Sequence, residues 1–290
     1  MDSLNTLLEN IENETGIRFK IEQSSISEEE TVAKIKEVMA YFHKNDDRVS
    51  FLRQVMKGMS RDEIHAGFSK FHMNENERVT LFLIAFRDRV EPVAQSVIAG
   101  LYDINAYDLV QVNERELALI LKREAKTGDD EFTALSIADT LMAEAMVDVQ
   151  VAYDDEFAYR DVCEAYRNAA VALKIGQTFY RSEVVYGYHK LGLGKLLYQL
   201  PKDACIKYLE DNLATVDFSN MDEETLHIIE CFFDNDLNIA ETARKLYLHR
   251  NTLVYRLDKF EKQTGLDLRN FDEAIVVRVG LMLRELLNVD

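Results

Sequence analysis

The sequence predicts an α+β protein in successive parts: an N-terminal helical segment, a central α/β sandwich and a C-terminal all-α domain. Three observations carry that expectation. Hydrophobic periodicity switches from helical to alternating near Arg78 and returns to helical after Leu191. Only two prolines, Pro92 and Pro201, interrupt the 290 residues, so long regular elements are permitted. One short C-terminal stretch reverses the sign of an otherwise acidic chain.

The first 75 residues read as helices. Leu4, Leu7, Leu8 and Ile11 form one stripe, ended by Gly16, and Ile17, Phe19 and Ile21 alternate as a short strand does. Ser27 and Glu30 make a capping box ahead of Val32, Ile35, Met39 and Phe42. After Asn45-Asp46-Asp47 a further stripe runs through Leu52, Val55, Met56 and Met59. Such helices either pack against the next domain or form a dimerisation surface, and the sequence leaves both open. Residues 76–190 carry β-rich runs at Val79–Phe86, Tyr107–Val112, Glu116–Leu121 and Val147–Tyr153, giving the order β-α-β-β-α-β. An Ala-rich helix between Tyr159 and Leu173, with Gly176 as its stop, and a last strand at Val184–Tyr188 complete the sandwich. Residues 191–218 read as a helical connector broken at Pro201, and 219–290 as a separate helical domain.

Composition limits what such a chain can do. Hydrophobic residues at 47% and charged residues at 30% exclude wholesale disorder. The longest apolar run, Leu81–Phe86, falls far short of the roughly 20 residues of a membrane span. Asp2, Glu9 and Glu12 stand where a signal peptide carries basic residues, so no membrane partner and no leader are expected. Cys163, Cys205 and Cys231 are odd in number and far apart, which fits a reducing, cytoplasmic location and no paired metal spacing. A net charge of −18 repels nucleic acid, so any nucleic-acid site must be local.

That local site is NIAETARKLYLHRNTLVYRLDKF, Asn238 to Phe260. Asn238 caps a helix, with Glu241 completing a box-like start, and Ala243 marks a close helix approach. Leu246 and Leu248 flank a tight turn, and Leu253, Leu257 and Phe260 form the buried stripe of a second helix. The opposite face then carries Asn251, Thr252, Tyr255, Lys259 and Lys262, with Arg250 and Arg256 on its shoulders. Between Arg244 and Lys262 six Lys/Arg stand against Asp258 and Glu261, a local +4. A bare run of that kind is usually a solvated helix; here turn spacing, a small-residue position and charge reversal coincide, and duplex DNA is the expected partner. The candidate contacts are Arg244, Lys245, His249, Arg250, Asn251, Thr252, Tyr255, Arg256 and Lys259. Arg and Asn in the first turn of such a helix suit guanine and adenine edges, while Arg244, Lys245 and Lys259 suit phosphates.

The string LYLHRNTLVYRLDKFEKQTGLDLRN resembles the C-terminal helix-turn-helix of the PucR/CdaR family of bacterial regulators, and the resemblance extends over Met221–Leu287. It rests on His249 to Leu253, on Tyr255-Arg256-Leu257 and on Thr264-Gly265-Leu266. Tyr247 occupies the turn position where many helix-turn-helix proteins use glycine, which implies a conformation that tyrosine bears at some strain. The middle region resembles the GGDEF-like domain of the same regulators. The hairpin that carries Gly-Gly-Asp/Glu-Glu-Phe in active cyclases stands here as Asn113-Glu114-Arg115-Glu116-Leu117, without its glycines and with a basic residue in place of an acid. The resemblance therefore implies a degenerate domain without catalysis, with Asp88 at most a relic metal ligand.

No other catalytic constellation is expected. His43, His65, His72, His189, His227 and His249 lack metal-binding spacing, and neither G-x-x-x-x-G-K nor G-x-S-x-G occurs. Gly192 and Gly194 read as a helix start. The expectation is a non-enzymatic, cytoplasmic, homodimeric transcription regulator with no cofactor and no metal. A small-molecule effector is left open. Rival expectations are a nucleotide or small-molecule receptor acting through the middle domain, and a protein–protein adaptor.

Overall fold

The computed structural model describes residues 47–125, 128–216, 218 and 221–287. The expected helices, strand and capping box of residues 1–46 lie outside the described residues. The chain divides into two compact units, Met1–Leu173 with Val184–Tyr188, and Lys174–Glu183 with His189–Asp290.

In the first unit, helix α1 (47–58) and helix α2 (Arg61–Lys70) precede the sheet. Ser60 and Glu63 close a capping box at the start of α2. Leu52, Val55 and Met56 of α1 are buried, Phe51 stacks edge-on against Phe68 of α2 at 5.9 Å, and Phe68 meets Tyr159 at 5.2 Å. The apolar stripe of α1 is thus consumed inside its own unit, which answers the open choice at residues 52–56 in favour of packing.

The sheet follows as β1 (Arg78–Phe86), α3 (Pro92–Leu101), β2 (Tyr107–Asn113), β3 (Glu116–Lys122), α4 (Asp130–Thr140), β4 (Val149–Ala158), α5 (Val162–Phe179) and β5 (Val185–Gly187). Strand order is β2-β3-β1-β4-β5; β1 is antiparallel to β3 and β4, and β4 is parallel to β5. This is the expected β-α-β-β-α-β order, followed by the expected last strand, observed at Val185–Gly187. Helices α3 and α4 cover one face through Ala94, Ile98, Ala134 and Ile137, packed on Phe82, Ile84, Leu119 and Val151. Their alternation with Leu81, Leu83, Ala118 and Ile120, also buried, shows that both faces of the sheet are covered.

Two expectations need correction. Strand β4 runs to Ala158 rather than ending at Tyr153, because Glu156 is taken up by Arg78 at 3.0 Å and by Arg123 at 3.3 Å; without partners, Asp154-Asp155-Glu156 reads as a loop. Helix α5 does not stop at Gly176 but continues to Phe179, with the Gly176 carbonyl accepting from the Tyr180 N–H at 2.8 Å.

The β2–β3 hairpin is closed by Glu114 and Arg115 without any left-handed residue. Asn113 accepts from the Arg115 N–H at 2.8 Å and donates to Glu116 at 2.6 Å, while the Glu114 and Arg115 carbonyls accept from Val90 and Phe86. Beneath the sheet, Asp108 and Tyr159 are buried and hydrogen-bonded to each other, and Arg48 reaches Asp108 at 2.5 Å. Burial pushes the Tyr159 hydroxyl well above its usual range, so it stays protonated and donates.

The second unit contains α6 (Gly192–Leu197), α7 (Lys202–Leu213), α8 (Glu223–Asp234), α9 (Ile239–Lys245), α10 (Arg250–Thr264) and α11 (Phe271–Leu287). Its core joins Leu213, Ile228, Ile229, Phe232, Ala243, Leu253, Leu257, Phe260 and Val277. A Cβ on Gly280 of α11 would lie 2.0 Å from Leu213 Cδ1, so α7 and α11 approach closely there. Among the described residues no helix is long and apolar enough to cross a membrane.

Candidate nucleic-acid interface

The site is built on α8, α9 and α10. Asp222 caps α8 by accepting from the Thr225 N–H at 2.7 Å, and that backbone hydrogen bond holds its carboxyl below the usual range. Asn238 caps α9 by accepting from Ala240 and Glu241 at 3.0 and 3.2 Å. Glu241 does not complete the box. The Asn238 N–H donates to the Asn235 carbonyl instead, and Glu241 pairs with Arg244 one turn on, at 2.5 Å.

The turn between the two helices has a definite hydrogen-bond pattern. Tyr247 N–H donates to the Arg244 carbonyl at 3.2 Å, and Leu248 N–H to the Ala243 carbonyl at 2.9 Å. This is a Schellman closure with Tyr247 as its left-handed residue, at φ 54°. Its side chain is 97% exposed, so the strain expected at this position is real and no packing compensates it.

Helix α10 presents the face that the sequence indicates. Leu253, Leu257 and Phe260 are buried, and Arg250, Asn251, Thr252, Tyr255 and Lys259 are exposed on or beside the opposite side. His249 has another duty: its Nδ1 accepts from the Asn251 N–H at 3.3 Å, making it the cap of α10 and leaving Nε2 to carry the proton of the neutral ring. Arg256 is also committed, donating to both Glu224 oxygens at 2.8 Å. Arg244 is engaged by Glu241. Among the described residues Lys245, Arg250, Lys259 and Lys262 make no ion pair.

Sequence reasoning overlooked two features here. Glu224 restrains Arg256 across 32 residues, a separation that no periodicity reveals. Arg269 donates to Asp258, Glu261 and Asp267, each at 2.7 Å. Only the Glu241–Arg244 pair, three residues apart on one helix, carried a readable signal.

Two short helices locked by a tight turn, the second exposing hydrogen-bonding and cationic side chains, define a helix-turn-helix domain. Residues 225–283 match the model of the PucR C-terminal helix-turn-helix domain. The chain is 30% identical to the purine catabolism regulatory protein of Bacillus subtilis over 44% of its own length and 24% of that protein's. It is 33% identical to the carbohydrate diacid regulator of Escherichia coli over 43% of its length and 32% of that protein's. The aligned part therefore spans less than a third of either relative. The B. subtilis transcriptional activator AdeR aligns over 84% of this chain and 61% of its own length at 21% identity.

Proposed function

We propose that this chain is a cytoplasmic transcription regulator that binds operator DNA through α10 and controls a metabolic operon. The observation that carries the reading is the pairing of a rigid Schellman turn with an exposed face on which Arg250, Asn251, Thr252, Tyr255 and Lys259 converge beside free Lys245 and Lys262. Arg250 and Asn251 occupy the first turn, the part of a recognition helix that enters the major groove, and are assigned to base edges. Lys245 and Lys259 are assigned to phosphates. His249 supports the site as a cap, and Arg256 by fixing α10 to α8. The relatives named above, a purine catabolism regulator and a carbohydrate diacid regulator, favour metabolic genes as the target. Genome-wide mapping of bound sites tests this: recovery of a two-part motif upstream of catabolic genes is expected, and crosslinking no greater than background would refute it.

Residues 76–190 are read as a degenerate GGDEF-like domain that does no chemistry. Its support is the hairpin turn, where Asn113 and Glu114 stand in place of the two glycines, Arg115 stands in place of an acid, and Arg89 takes Glu114 at 3.3 Å. A cation at that turn cannot hold the metal that neutralises a triphosphate. Purified protein incubated with GTP and Mg²⁺ should yield no cyclic dinucleotide.

A further inference from the structure

Helix α10 carries two acids of its own, Asp258 and Glu261, inside the stretch assigned to DNA. Asp258 lies on the open face, seven residues after Asn251, three after Tyr255 and four before Lys262, positions that share one side of a helix. A free carboxylate there would stand against phosphates at a range where salt screens little.

Neither acid is free. Arg269, in the loop between α10 and α11, donates from Nη1 to Asp258 Oδ1 and from Nη2 to Glu261 Oε2, both at 2.7 Å. Its Nε and its backbone N–H donate to Asp267 Oδ1 at 2.7 and 2.9 Å, which fixes the fork in place. One guanidinium thus serves three carboxylates, one per nitrogen. All four side chains are 31–43% exposed, a setting in which ion pairs add little to stability, so the value of the arrangement has to be sought in what the surface presents.

Resting on the DNA-binding reading, we propose that Arg269 is a positioning residue for DNA recognition: it holds and partly neutralises the two carboxylates of α10 so that this helix can lie against a phosphate surface. Its contribution is electrostatic and acts through Asp258 and Glu261, without contact between Arg269 and a base. That route distinguishes it from a residue needed only for folding. If the carboxylates are the whole reason for the arginine, removing them should make the arginine dispensable for binding.

The test uses the full chain and a fluorescent duplex of mixed sequence, read by anisotropy at several NaCl concentrations, with thermal unfolding of each variant alongside. Arg269→Gln should bind about tenfold more weakly at low salt, with a loss that shrinks as salt rises. Arg269→Gln combined with Asp258→Asn and Glu261→Gln should regain most of that affinity. Asp258→Asn with Glu261→Gln in the presence of Arg269 should gain well under tenfold over the wild type, and this comparison holds even if the single arginine variant folds poorly. Unchanged binding by Arg269→Gln, or a loss the carboxylate changes do not restore, would overturn the proposal. A gain of tenfold or more from the double carboxylate variant would do the same, since it would show the acids unshielded. Wild-type protein that binds no duplex at any salt would refute the DNA-binding reading itself, and the proposal with it.

Discussion

At Arg250 and Asn251 the side chains are exposed in the first turn of α10 with no competing ion pair among the described residues, so their substitution isolates readout from folding. Alanine at either should cost about 1–3 kcal/mol on the operator and much less on random DNA. Lys259→Ala should weaken binding to both alike and lower the salt slope by about one unit, as one fewer counterion is released. Titrating both duplexes across salt with each folded variant checks the division; equal losses on both for Arg250→Ala and Asn251→Ala would leave a phosphate-binding surface only. Tyr247 offers a different experiment. It holds φ 54° with nothing packed on it, so Tyr247→Gly should stabilise the unit by roughly 1 kcal/mol through relief of left-handed strain, less the entropy glycine adds to the unfolded chain. Thermal unfolding measures this, and a lower midpoint would mean the tyrosine ring contributes contacts that its exposure conceals.

Among the elements, α10 is anchored by Leu253, Leu257 and Phe260, and Leu253→Ala should cost roughly 2–5 kcal/mol by leaving a cavity. Loss of DNA binding in that variant, measured beside denaturant unfolding, should track loss of fold. Two carboxylates of this unit, the helix cap Asp222 and the loop residue Asp267, supply a pH dependence. Asp222 is held below the usual carboxylate range by the Thr225 N–H; Asp267, although partial burial pulls it upward, is held below it by Arg269. Both folded values lie under the unfolded one, near 3.9, so their stabilisation is present above that pH and is lost as pH falls through the folded values. Acid unfolding followed by circular dichroism should show this loss, and Asp222→Asn should flatten it. The strands and the helix-turn-helix were legible because period-two and period-3.6 patterns report burial directly, as at Leu81 to Phe86 and Leu253 to Phe260. The end of β4 was not, since a strand that carries Asp154-Asp155-Glu156 is held by arginines distant in sequence. For the same reason the open face of α10 could be read, while the withdrawal of Arg256 by Glu224 and the bracing of Asp258 by Arg269 could not. Nor could the capping duty of His249, a residue type better known for other roles.

For the molecule as a whole, one recognition helix reads too few base pairs for useful specificity, and two copies on half-sites about 34 Å apart are the usual remedy. A homodimer is therefore expected. Because the stripe of α1 is consumed within its unit, its contacts have to come from other surfaces. Light scattering at micromolar concentration, with and without operator DNA, should give twice the chain mass; a monomer in both conditions would contradict it. On the DNA-binding reading, the four cations at α9 and α10 that are unpaired among the described residues also shape how the protein finds its site. They are set in a chain of net charge −18, so phosphates attract this patch while much of the remaining surface is turned away. Encounters are thereby sorted by orientation before any base is read, and collisions in the wrong pose dissociate quickly instead of lingering on the duplex. Added salt weakens both the pull and the push, so the association rate should fall less steeply with ionic strength than it does for a uniformly basic protein with the same phosphate contacts.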